Sequence, residues 1–158
     1  MEDIVQYMFS PCSFPAGINL ATIKDIKRVR LPSGQVKTKE GSISLMATFE
    51  NGEMEGGIEA YVNSKSQWIW DKLCKAANVD NIERQPSVEE LKGKQVYLST
   101  IAVFNIVNGE ISEEPDFTYL EPKFYPVGGI KPIIEKDPQR TGKYEEGPFV
   151  VYRNVEDQ

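Results

Sequence analysis

The chain has 158 residues, a net charge of −6 and a sequence pI of about 4.8, which suits one globular domain and argues against a generic polyanion binder. Because histidine is absent, the sequence excludes Ser-His-Asp and Cys-His nucleophilic sites and the zinc sites built on imidazole. The two cysteines, Cys12 and Cys74, form no CxxC pattern, so we expect neither a disulfide scaffold nor a metal site.

No pattern in the chain pairs a nucleophile with a base, so we predict no enzymatic activity and no cofactor. The N-terminal segment lacks the basic start and the long apolar run of a secretory signal. No run of about 18 apolar residues occurs, so we expect no membrane contact. These features together predict a soluble cytoplasmic protein.

An apolar arm is predicted over residues 1–16, where aromatic side chains and two prolines occur without a clear period. We expect the arm to pack on the body of the protein, with packing on a partner as the alternative.

In the first predicted strand, 17–31, apolar residues recur at every second position up to Leu20 and at every third position from Ile23. A β-bulge reconciles the two spacings, and a short helix from Thr22 is the alternative.

A β-hairpin is predicted around Asn51-Gly52. Apolar residues recur at every second position through strand 42–50, and strand 55–62 pairs back with the same period. Asn and Gly both tolerate the positive φ that a type I′ turn requires. The sequence therefore predicts a tight two-residue loop at this pair.

The single predicted helix covers 64–79 and lies between the two halves of the sheet. Ser64 and Gln67 match a capping box, and apolar residues at helical spacing form a narrow stripe along the segment. Trp68 and Trp70 point to different sides of this helix. We expect one of them to fill the end of a small β-barrel, rather than either to serve as a stacking platform.

Strand 94–107 carries apolar residues on both faces in its second half, which we therefore expect to be buried on both sides. Asn108-Gly109 predicts a second type I′ hairpin leading into strand 115–127.

The tail, 128–158, is rich in proline and glycine, which regular strands tolerate poorly. We predict an extended, partly ordered tail with one short docking strand at 149–152.

Five strands with one helix between the third and the fourth follow the order of an OB-fold, which the chain resembles. The predicted fold is therefore mainly β, with an OB-like β-barrel domain and its N-terminal arm over 1–127 and the tail over 128–158. OB-folds bind single-stranded nucleic acids and oligosaccharides through the face of their second and third strands and two flanking loops.

The run 45–104 also resembles small phage-encoded single-stranded DNA-binding proteins that are found beside replication and recombination genes. The matching features are a strand with Gly57 and Tyr61, the helical run 68–79, and Leu91-Lys92-Gly93-Lys94 before a strand. The resemblance implies sequence-independent binding of single-stranded DNA in replication or recombination, by a protein of a phage or mobile element.

A basic segment occurs where the first loop of an OB-fold would lie. Between Thr22 and Lys39 the only carboxylate is Asp25, against six cations: Lys24, Lys27, Arg28, Arg30, Lys37 and Lys39. We predict that these side chains contact the phosphate backbone. The alternative is a solvated strand whose lysines protect a sheet edge.

Tyr61 is the first candidate for base stacking, because Met46 and Thr48 occupy neighbouring outward positions. Tyr97 is the second candidate. The alternative is that an outward tyrosine covers the barrel or meets the tail.

Two groups of carboxylates surround the predicted turns and are interpreted as solvated, acidic loop tips. They are Glu50, Glu53, Glu55 and Glu59 at the first turn, and Glu110, Glu113, Glu114 and Asp116 at the second. The first group would repel nucleic acid and restrict a bound strand to the other end of that face. The acidic balance, the arm and the tail together favour an alternative function, a non-enzymatic module that binds a protein partner or self-associates through the arm or tail.

Overall fold

The computed structural model of the protein describes residues 3–6, 12–80, 86–128 and 149–155. In chain order the elements are β1 (Asp3–Val5), β2 (Gly17–Arg30), β3 (Thr38–Lys39), β4 (Ser42–Asn51), β5 (Met54–Tyr61), α1 (Gln67–Ala76), α2 (Val88–Leu91), β6 (Gln95–Val107), β7 (Glu110–Ile111), β8 (Phe117–Pro126) and β9 (Val150–Asn154). The predicted mainly β class is confirmed. The predicted five-stranded barrel is not confirmed, because the described residues form a nine-stranded sheet in which no hydrogen-bonded ladder joins the two ends.

The five long strands lie in the order β5-β4-β2-β6-β8, and each neighbouring pair is antiparallel. β2 holds the two halves together, since its residues 17–22 pair with β6 and its residues 22–28 pair with β4. The register of β2 against β4 shifts between Ile23 and Asp25. The predicted β-bulge is therefore confirmed, and the alternative of a helix from Thr22 is wrong.

The two ends of this five-strand order, β5 and β8, approach each other closely. A Cβ atom added to Gly56 on β5 would lie 3.0 Å from Leu120 Cδ1 on β8. The arm covers this seam: the Ser13 amide donates to the Glu55 carbonyl at 2.8 Å, and Thr118 Oγ1 donates to the Cys12 carbonyl at 3.2 Å. α1 packs against both strands.

The arm therefore packs on the body wherever the structure describes it. Phe14 is buried in the core, and β1 adds to β2 as a parallel strand. Residues 1, 2 and 7–11 of the predicted arm lie outside the described residues.

α1 is shorter than the predicted helix because residues 64–66 form a turn before it. The predicted capping box is not formed, since the N-cap is Ser66 and its side chain makes no capping bond. Instead, Ser64 Oγ accepts a bond from the Ser66 amide at 3.1 Å, and Gln67 Oε1 accepts one from the Asn63 amide at 2.6 Å. Trp70 fills the core beneath α1, as expected of one tryptophan, and its Nε1 donates to the Ala60 carbonyl at 3.2 Å.

Both Asn-Gly pairs form two-residue hairpins, but in different registers. Asn108 and Gly109 have φ of 51° and 78° between paired Val107 and Glu110, which confirms the type I′ turn. Asn51 instead pairs with Met54 and ends β4, so the central residues are Gly52 and Glu53. Of these two only Gly52 has a positive φ, 63°, the pattern of a type II′ turn. The Asn51 side chain donates to the Leu20 carbonyl at 2.9 Å, which holds this residue in the strand.

The predicted docking strand of the tail is confirmed as β9, which runs parallel to residues 102–106 of β6. Ile101, Ala102 and Val103 are all buried, as their apolar pattern predicts. The described end of the tail therefore belongs to the same sheet, while residues 129–148 lie outside the described part of the chain. The elements that the sequence analysis missed, β1, β3, β7 and α2, have two to four residues each, too few to display a period.

Candidate nucleic-acid interface

The predicted binding surface is the side of β2, β4 and β5 that faces away from the core. Strand pairing aligns two rows of side chains there: Lys27, Met46 and Glu59, then Asp25, Thr48 and Gly57. Alternate residues of the same strands, such as Ala47 and Ile58, point into the core. We call this surface the β2–β4–β5 outer face.

A shallow depression of about 340 Å³ lies on this face. Its apolar contacts come from Ile4 of β1 and Met46 of β4, and its rim carries Lys24 and Lys27. A Cβ atom on Gly57 would lie 2.8 Å from Met46 Sδ, so the glycine leaves room for the methionine side chain beside β5. The depression therefore combines apolar side chains with two cations and two carboxylates, Asp25 and Glu55.

Tyr61 lies at the end of β5 on the same face and is half-buried. Lys37 Nζ lies 5.7 Å from the centroid of its ring, within cation–π distance. The same ammonium forms an ion pair with Glu59. Lys37 thus lies over one face of the Tyr61 ring.

The structure does not bring the six predicted cations together. Arg28 and Arg30 project to the side of β2 opposite Lys27, because successive side chains of a strand alternate. There both guanidinium groups bind Asp3 of β1, Arg28 with an Nε–Oδ1 distance of 2.8 Å. A hydrogen bond from Arg28 and a weaker contribution from Arg30 lower the pKa of the Asp3 carboxyl to about 2. The physical reason for the separation is the pleat of β2, which the sequence analysis did not apply to this segment.

Two further predicted residues lie apart from the depression. Lys39 is exposed on the short strand β3, where it pairs in register with Ser42. Tyr97 lies on β6 between Leu20 of β2 and Tyr125 of β8. Tyr97 and Tyr61 therefore stand on strands separated by β2 and β4, and the structure places them in different regions of the sheet.

Charges on the β2–β4–β5 outer face are nearly balanced. Lys24 Nζ lies 3.9 Å from Glu50, and Asp25 lies 4.0 Å from Lys92 Nζ, in addition to the pair between Lys37 and Glu59. Because a carboxylate stands beside each of these cations, the face carries a weaker positive potential than the basic segment of the sequence implies.

A second groove, of about 660 Å³, lies between α1 and β8, and the sequence analysis did not predict it. Trp68, Lys72 and Lys75 line it from the helix at positions i, i+4 and i+7. This helical spacing is the sequence signal for the groove, and it differs from the predicted role of the tryptophans as core or barrel-filling residues. Trp68 is 47% exposed, whereas Trp70 is fully buried.

A bulge in β8 forms the other wall of this α1–β8 groove. Leu98 pairs with Phe124 and Ser99 pairs with Glu121, so Pro122 and Lys123 are extra residues outside the ladder. Proline is tolerated at such a bulge because it has no amide to donate. The insertion places Pro122 and Lys123 in the wall that faces α1.

Within residues 3–6, 12–80, 86–128 and 149–155, no group of three or more His, Cys, Asp or Glu side chains could hold a metal ion. In the same ranges, no helix has the length and apolar character needed to span a membrane. Burial raises the pKa of the Cys74 thiol to about 11, which disfavours the reactive thiolate.

Comparisons of the chain with protein families, curated proteins and solved structures found no match.

Proposed function

We propose that the protein binds single-stranded DNA without sequence preference and without catalysing a reaction, in replication or recombination and as part of a phage or mobile element. The observation that carries the proposal is the strand order. β5-β4-β2-β6-β8, with α1 between β5 and β6 along the chain, is the order 3-2-1-4-5 of an OB-fold. That fold is a partly open five-stranded barrel, which is compatible with a seam closed by side chains and the arm.

The β2–β4–β5 outer face is the surface that OB-folds use for single strands. Lys24 and Lys27, which line the depression, would contact phosphates, and the ring of Tyr61, on the side away from Lys37, would stack on a base. Because neighbouring carboxylates offset these cations, we expect few phosphate contacts and modest affinity. If two or three phosphates of a single strand are contacted, the logarithm of the association constant should fall with the logarithm of the salt concentration with a slope of about −1.4 to −2.

The test is fluorescence anisotropy of a labelled oligo-dT titrated with the full chain at several salt concentrations. The double variant Lys24→Glu/Lys27→Glu should weaken binding at least about tenfold at low salt and flatten the salt slope. Lys94→Glu is the matched control, since Lys94 is exposed at the start of β6 and lines none of the described grooves. The proposal fails if the unmodified chain shows no salt-dependent binding even at the lowest salt.

A protein partner is the second candidate, and the balanced charge around the apolar depression favours it. Interface centres are depleted in charge and enriched in residues such as methionine. Ile4→Lys separates the two candidates, because Ile4 is only partly buried at the depression and an added cation on this face should strengthen binding of oligo-dT. The same substitution should weaken a protein contact that depends on an apolar surface.

A further inference from the structure

The α1–β8 groove has three cations and one carboxylate among its lining residues. The cations are Lys72 and Lys75 on α1 and Lys123 in the bulge of β8, and the carboxylate is Glu121. Glu121 is already engaged, because Ser99 Oγ donates to it and Lys123 Nζ lies 3.6 Å away. Neither helix lysine forms an ion pair with a residue that the structure describes. The groove is therefore locally positive in a chain whose net charge is −6.

Aromatic residues and cations line the same groove. Trp68 lies near the start of α1 and Tyr125 near the end of β8, and Lys72, Lys75 and Lys123 line the groove with them. A residue four positions along a helix lies about 6 Å further along its axis, so Trp68, Lys72 and Lys75 follow one another on successive turns. An exposed ring beside cations is an arrangement that binds single strands, because a base stacks on the ring while the cations contact the backbone.

Trp68 lies outside the side of α1 that packs on the core. The apolar side of α1 is already complete, with Trp70, Leu73 and Cys74 buried against the core. A large indole left 47% exposed on the opposite side, above a groove of about 660 Å³, marks a surface for a ligand.

We infer that the α1–β8 groove is a second contact site for single-stranded DNA, in which Trp68 stacks on a base and Lys72 and Lys75 contact phosphates. This inference rests on the proposed function and extends it to a surface outside the β2–β4–β5 outer face. Of the two surfaces, the groove has the larger cation excess and the more exposed aromatic ring. A nucleic acid fits it better than an acidic peptide does, because stacking uses the exposed indole face while the lysines neutralise a regular row of charges.

The two tryptophans make the test specific to the groove. Trp70 is fully buried, so quenching of tryptophan fluorescence by oligo-dT at low salt reports on Trp68. We expect quenching that weakens as salt rises and that persists in Lys24→Glu/Lys27→Glu. Trp68→Phe should abolish the quenching and retain most of the affinity, since phenylalanine keeps a ring face.

Affinity measured by anisotropy of the labelled oligo-dT provides the second readout. Trp68→Ala should weaken binding about tenfold or more, and Lys72→Glu/Lys75→Glu should weaken it and reduce the salt slope. Tyr119→Ala is the matched control, because Tyr119 is also an exposed aromatic residue but does not line this groove. Thermal unfolding of each variant identifies any that fail to fold. If Trp68→Ala does not fold, the affinity and the salt slope of Lys72→Glu/Lys75→Glu decide the result.

The outcomes separate this inference from the proposed function. If anisotropy shows that oligo-dT binds without quenching Trp68, and with equal affinity for Trp68→Ala, the inference about the groove is overturned. The proposed function then still stands. A chain that binds no oligo-dT in either assay overturns both. A polyglutamate peptide that quenches Trp68 when oligo-dT does not would assign the groove to an acidic protein segment and overturn the inference.

Discussion

Trp68 and Trp70 stand two positions apart in α1 and have opposite environments. Trp70 is fully buried and donates its Nε1–H to the Ala60 carbonyl, so it fixes the helix against β5. Trp68 is 47% exposed at the α1–β8 groove. At the scale of the residue, the position on the helix decides which indole supports the fold and which is available to a ligand.

The first prediction contrasts these two side chains. Trp70→Ala should lower the free energy of unfolding by about 3–5 kcal/mol, because it removes a buried ring and leaves a cavity. Trp68→Ala should change it by no more than about 0.5 kcal/mol, as is usual for exposed positions. Urea unfolding followed by far-UV circular dichroism measures both. Similar losses for the two variants would contradict the assignment of Trp70 to the core.

The second prediction concerns Asp3, whose pKa is lowered to about 2 by hydrogen bonds from Arg28 and Arg30. A carboxyl with a folded pKa below its unfolded value of 3.8 stabilises the fold above that value. This contribution is lost as the pH falls from 3.8 through about 2. An NMR titration of the Asp3 carboxyl carbon should give the low midpoint, and Arg28→Gln should raise it. A midpoint near 3.8 in the unmodified chain would show that the pair does not persist in solution.

At the scale of elements, the seam between β5 and β8 depends on side chains and on the arm. Gly56 has no side chain at the point where Leu120 approaches. A Cβ atom added to Gly56 would also lie 3.4 Å from Cys12 Sγ. Ser13 bonds to Glu55 through both its amide and its hydroxyl group. The arm thus supplies hydrogen bonds that a regular ladder would otherwise provide.

The third prediction tests this close approach with a double-mutant cycle. Gly56→Ala should destabilise the fold by about 1–3 kcal/mol, since its Cβ would lie 3.0 Å from Leu120 Cδ1. In the Leu120→Ala background the cost should fall, because the removed side chain leaves room for the new methyl group. Denaturant unfolding of the four proteins gives the coupling energy. Additive effects would mean that the two residues do not meet.

At the scale of the whole molecule, β9 completes the sheet from a distant part of the chain. It pairs in parallel with the second half of β6, and Phe149 and Val150 are buried there. Arg153 also binds Asn105 of β6 and Asp116, which precedes β8. Without β9, this edge of β6 would present unpaired backbone groups, a template for association with another chain.

The fourth prediction is that undocking β9 makes the protein self-associate. Val150→Asp places a carboxylate at a buried position and should expel the strand, with a loss of stability and a shift to larger species. Asn154→Asp is the control, because Asn154 is exposed at the end of the same strand. Light scattering coupled to size-exclusion chromatography measures the mass. An unchanged mass together with an unchanged unfolding curve for Val150→Asp would contradict the role of β9.

The sequence by itself determined the long elements, since a period of two over ten residues, an Asn-Gly turn and a helical stripe are local properties. For this reason the sequence predicted the bulge in β2, the type I′ turn at Asn108-Gly109, the buried half of β6 and the docking strand β9. Only the tertiary structure decided which side chains share a surface. The pleat of β2 directs Arg28 and Arg30 away from Lys27, and pairing of β1 with β2 places Asp3 where both guanidinium groups bind it. Packing of α1 beside the β8 bulge created the α1–β8 groove. Such groupings join residues far apart in the chain, so a local pattern such as the spacing of Trp68, Lys72 and Lys75 indicates only one wall of the groove.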